Sequence, residues 1–139
     1  MTRAGDRGTI SMLTVIFTAA VFLLAGLLFD GGLAIHARER AYDIAEQAAR
    51  AGANDIDQPA LRETGKAQIS ADAVQAVGTF MAASYQGKNL TWDCDPPQPQ
   101  QITCHVVITV QSHFLGVIPG FGTFTMKGTA SAHPDEGNP

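Results

Sequence analysis

From Gly8 to Phe29 the chain reads GTISMLTVIFTAAVFLLAGLLF, without a charge, between Arg7 and Asp30. At about 1.5 Å rise per residue, twenty such residues span roughly 30 Å, the hydrocarbon thickness of a bilayer. The stretch predicts a single transmembrane helix over 9–29 behind a tail of 1–8. From Leu33 the pattern changes. Ala34, Ala37, Ala41, Ile44, Ala48 and Ala51 recur at alternating steps of three and four, opposite Arg38, Glu39, Asp43, Glu46 and Arg50. That is an a/d seam in a segment rich in the best helix former. The membrane helix is therefore expected to run on as an Ala-rich rod over 30–53, with Gly52 as the residue just past its end. The seam is read as a helix-packing interface, its partner either the chain's own head or a neighbouring helix.

Asn54 to Pro59 is a turn-rich break, and the stretch to Lys66 reads as irregular or a helical turn. Ser70 and Asp72 then start a second helix whose apolar positions include Ala73, Val77, Phe80 and Met81, closed by Gly87. After Leu90 the period becomes two. Leu90–Cys94, Ile102–Gln111 and Thr123–Ala132 each alternate apolar with polar positions, which predicts a small three-stranded antiparallel sheet with one buried face. The apolar connection His113–Gly122 contains three glycines and Pro119. It is expected either to tuck under the sheet or to stand exposed for a membrane or protein contact. The pattern makes the chain α+β, with a head over 54–132 and a disordered tail over 133–139.

Within the span, Ser11, Thr14, Thr18 and Ala25 form a small, weakly polar membrane stripe. Such residues either let a second helix approach closely or bond back to their own backbone. Asp30, Gly31 and Gly32 mark the outer interface. Asp30 reads as a stop signal, or as a buried carboxylate paired with a partner helix.

A chain of 139 residues minus its anchor allows one small head with a thin core. Cys94 and Cys104 both fall on the apolar parity and flank a turn, which reads as one disulfide in an extracytoplasmic compartment. The net charge of −4 leaves no basic patch for nucleic acid. Basic residues on the two sides of the span nearly balance, so orientation rests on the short leading tail and the cysteine pair. Both favour a cytoplasmic N-terminus and an outside head. Gly32-Leu33-Ala34 is a small-x-small site, so release by signal peptidase near Ala34, giving a secreted binding module, is the alternative to a retained anchor.

Catalytic chemistry finds little support. His36, His105, His113 and His133 are scattered, and no nucleophile elbow, P-loop or metalloprotease motif is present. No cofactor, metal site, catalytic residue or small-molecule substrate is expected. Asp55 and Asp57 lack the spacing and the glutamate of a calcium loop.

The order Asp6-Arg7-Gly8, apolar span, Asp30-Gly31-Gly32, then AYDIAEQAARAGA resembles the N-terminal module of TadE/TadG-like proteins of tight-adherence (Flp-type IV) pilus systems. The apolar loop before a Thr/Ala-rich last strand is similar to short members of that family. The resemblance covers the N-terminal third well and the remainder in outline. It implies a cell-membrane protein of pilus assembly with a pilin-like outline, whose partners are the bilayer and other pilus-assembly or pilin-like subunits. It also marks Gly8 as a possible processing site. Prepilin-type substrates carry a glutamate five residues after the cleaved glycine, where this chain has Leu13. That departure implies a TadG-like accessory scaffold, with a processed minor pilin-like subunit as the alternative.

Overall fold

The computed structural model describes residues 6–117, 119–120 and 122–135, with side chains from Ile10 onward. Most of the expected cytoplasmic tail, Ile118 and Phe121 of the apolar connection, and the last four residues of the expected disordered tail lie outside them. Helix α1 runs unbroken over Asp6–Ala53, a rod of about 70 Å at 1.5 Å per residue. The apolar span and the Ala-rich segment are thus one helix. Gly31 and Gly32 do not break it, because the segments on either side are strong helix formers. A Cβ at either glycine would meet nothing within 4 Å. Gly31→Ala and Gly32→Ala are therefore expected to stabilise α1 by about 0.5–1 kcal/mol each, read as a higher Tm by circular dichroism in detergent.

The break after Ala53 holds a short helix, α2, over Gln58–Thr64, in a stretch read from sequence as irregular or a helical turn. Its ends carry the reason. The Asp57 carboxylate accepts from the Ala60 N–H at 3.1 Å, Pro59 stands in the first turn, and Gly65 closes it at φ 69°. Asp57 is a helix cap, and Asp55 lends its carbonyl to the Ser70 N–H. Helix α3 spans Ala73–Tyr85, with Ala73, Val77 and Met81 buried. The Tyr85 hydroxyl bonds Gln47 Oε1 at 3.0 Å and ties α3 to the rod.

Strands β1 (Leu90–Cys94), β2 (Ile102–Gln111) and β3 (Thr123–Ala132) form an antiparallel sheet in the order β1-β2-β3. Leu90 opposes Ile108, Cys94 opposes Cys104, and Val106 opposes Gly128. Alternation puts Ile102, Cys104 and Val106 on the inner face, where they pack on Ala41, Ile44, Ala45, Ala48, Ala49, Ala53 and Val77. The architecture is α+β: three α-helices among the described residues, and one sheet laid along the C-terminal half of the longest.

Three expectations change. Gly52 is not the residue past the helix end; it lies inside α1, and a Cβ there would come within 2.7 Å of Ile102 Cδ1 and 2.9 Å of Val77 Cγ2. The glycine makes room for two core side chains. The buried stripe also shifts from the a/d register toward Ala45, Ala49 and Ala53, leaving Ala34 and Ala51 half-buried. A straight helix turns every 3.6 residues and drifts off a strict 3.5 repeat. Finally, residues 133–134 do not leave the head: the His133 ring bonds the Gln100 carbonyl at 2.6 Å and Pro134 is buried.

Candidate functional site

The N-terminal half of α1 is apolar on every side and almost wholly uncovered. Ile10, Leu13, Phe17, Phe22, Leu24 and Leu28 are all more than half exposed. A helix apolar all round belongs in lipid or in a large core, and the head covers this one only at its C-terminal end. The segment is long and apolar enough to cross a membrane. Ser11, Thr14, Thr18 and Ala25 are exposed along it. The Thr14 hydroxyl donates to the Ile10 carbonyl at 2.9 Å and that of Thr18 to Thr14 at 2.8 Å, so both hydroxyls bond their own helix.

Among the described residues of this half, Gly26 and Asp30 are buried, four apart and so on one face. The chain returns to them 83 residues later. The Asp30 carboxylate, 1 % exposed, accepts three backbone N–H groups: His113 at 3.0 Å, Phe114 at 3.0 Å and Leu115 at 2.7 Å. These donors open a single 3-10 turn over Leu115–Val117. A buried carboxylate is costly unless its oxygens are satisfied, and these donors satisfy it. Gly26 faces Phe114, whose Cβ would stand 2.9 Å from a Cβ at that glycine. Phe29 meets the Phe114 ring edge-on at 5.6 Å and the His113 ring at 6.3 Å. The start of the apolar connection, residues 113–115, is therefore not tucked under the sheet; it folds onto the apolar half of α1. Asp30 acts as neither a bare stop signal nor a ligand for a partner helix, because its own chain occupies it. The pairing joins residues too distant in sequence for periodicity to expose. Gly26 and Asp30 on one face of an apolar helix were the available signal.

The expected packing interface is closed by the head. Ala37, Ala41, Ile44 and Ala48 are buried beneath β2, β3 and α3, so between those positions no second helix can reach the seam. At Gly128 a Cβ would overlap the backbone of Ala41 and Tyr42; strand and helix touch main chain to main chain. The outer face of the rod stays polar, with Arg50 paired to Glu46 and the Arg38 guanidinium 5.7 Å from the Tyr42 ring centre. Ala34 lies within the continuous helix, and Gly8 is helical near its start. Cys94 and Cys104 are joined as a disulfide across β1 and β2.

The open face of the sheet holds one arrangement with catalytic connectivity. His105 Nε2 lies 3.4 Å from Asp95 Oδ2, and its Nδ1 lies 2.9 Å from Thr129 Oγ1. Carboxylate, imidazole and hydroxyl follow one another as in a hydrolytic triad. Thr129, however, stands mid-strand on a solvated face, not on a sharp turn that presents a nucleophile. The imidazole and carboxylate are 39 % and 61 % exposed, and such pairs contribute little. Among the described residues, no three His, Cys, Asp or Glu side chains converge as a metal site.

Residues 8–55 match the family model of Tad, the Flp pilus-assembly TadE/G-like proteins. The match covers the apolar span, Asp30 and the rod to its end, and stops where the head begins. No curated protein and no solved structure matches the chain.

Proposed function

We propose that the chain is a single-pass component of Flp/Tad pilus assembly, with its N-terminus in the cytoplasm and its disulfide-bearing head outside. It acts as a structural or accessory scaffold and not as an enzyme. The observation that carries this reading is the coincidence of the TadE/G-like match over 8–55 with one continuous helix that is apolar in its first half and sheet-covered in its second. The matched family is one of pilus assembly. With the Ala seam covered, contacts to neighbouring pilus-assembly or pilin-like subunits in the bilayer fall to the span, including the stripe at Ser11, Thr14, Thr18 and Ala25. The small cystine-bearing head favours the outside, where disulfides persist. Deleting the gene in a piliated host is expected to abolish or deplete surface fibres, counted by electron microscopy. Normal fibres would remove the reading.

A second reading is a processed minor pilin-like subunit, cleaved after Gly8. The long helix with a sheet docked on its far half favours it; Leu13, where such substrates carry glutamate, opposes it. Intact mass of the membrane-extracted protein separates the two. A chain beginning at Thr9 selects the processed subunit, and an intact N-terminus selects the scaffold.

A further inference from the structure

We infer that the turn Phe114–Val117 is a second membrane contact, held against the anchor helix by Asp30 and seated in the outer leaflet beside it. The inference rests on the membrane-anchor reading of α1. Gly26 lies four residues on the membrane side of Asp30, about 6 Å along the helix, and Phe114 packs directly on it. The head therefore reaches below the end of the apolar run. From Ser112 to Met126 the sequence has no Asp, Glu, Lys or Arg. Phe114 is 55 % exposed and Val117 85 %, and the Phe114 ring rests on the exposed Phe29 of the helix. The apolar surface of the turn is thus continuous with that of the span. That continuity identifies the occupant as lipid: whatever covers Phe29 also covers the turn.

The backbone explains the carboxylate. Irregular chain at membrane depth needs its polar groups satisfied by protein. The N–H groups of residues 113–115 go to Asp30, and the Ser112 N–H goes to the Gly122 carbonyl at 3.2 Å, closing the base of the loop. With those donors taken, the turn can lie against lipid without presenting them to hydrocarbon. Two points then fix the protein on the membrane, the helix and the turn, so α1 and the head packed on it cannot roll together about the helix axis.

The test uses the full-length protein with its cystine intact, one copy per phosphatidylcholine–phosphatidylglycerol nanodisc. A single added cysteine, Val117→Cys, carries an environment-sensitive fluorophore, and Val15→Cys in the span carries the same label as reference. The label at 117 is expected to lose most of its emission to a shallow lipid-borne spin label and to resist aqueous iodide. Introducing Asp30→Ala is expected to reverse both responses at 117 and leave the label at 15 unchanged. If the label at 117 is quenched by iodide while that at 15 is in lipid, the turn is not a membrane contact and the anchor reading stands. Shielding from both quenchers points to a protein occupant and overturns the inference. Iodide quenching of both labels overturns the anchor reading as well.

Discussion

Gly128→Ala is expected to loosen the head from the rod, and Gly128→Val to detach it. A Cβ on residue 128 would overlap the carbonyl carbon and oxygen of Ala41 and the amide nitrogen of Tyr42. These are helix backbone atoms and cannot rotate away. Either β3 lifts off α1 or the helix bends, and both open the core at Val106, which pairs with Gly128 across the sheet. Overpacking at a site that cannot adjust costs about 3 kcal/mol or more, a large share of a small domain's stability of about 5–15 kcal/mol. The sign makes the experiment decisive. Glycine is a poor strand residue and valine a good one, so local propensity alone predicts that Gly128→Val stabilises. Contact with the helix predicts the opposite. Thermal unfolding in detergent, with protease resistance of the head as a second readout, decides between them. Thr125→Val, on the open face, serves as the control and is expected to stay within about 0.5 kcal/mol of the parent. A parent-like Tm for Gly128→Ala would show that the strand does not lie on the helix as described.

Reducing the Cys94–Cys104 bond is expected to lower the Tm of the head by on the order of 10–20 °C. The bond closes a short loop between adjacent strands, with a sequence separation of 10, and a constraint of that length stabilises by about 2–3 kcal/mol in the chain-entropy account. Cys104 is fully buried at the centre of the core, while Cys94 is half-exposed beside it. The paired variant Cys94→Ala/Cys104→Ala is expected to behave like the reduced protein. A lone Cys104→Ser should fall lower, since it also buries a hydroxyl among Ile44, Ile102 and Val106. Alkylation before and after reductant, read by intact mass, checks the starting state. Thiols that alkylate without reductant would place the head in a reducing compartment and remove the cysteine pair as a ground for an outside orientation.

Periodicity by itself determined the long helix, the α3 segment, the three strands and the inner face of the sheet. Each is a local pattern of apolar positions at a spacing of 3.6 or 2, and burial enforces that spacing along a single element. The cysteine pair was legible for the same reason, since both residues fell on the buried parity of strands joined by a turn. Only the tertiary structure decided what the Ala seam meets, because an apolar stripe records that it is covered and not by what. The same holds for the glycines. Gly52 looks like a helix end and Gly128 like any strand residue until Ile102, Val77 and Ala41 arrive beside them from other elements. Asp30 is the clearest case. A carboxylate at the end of an apolar run has the same local pattern whether it faces water, a partner helix or a loop of its own chain. Its three donors come from 83 to 85 residues away, a pairing that no local rule encodes.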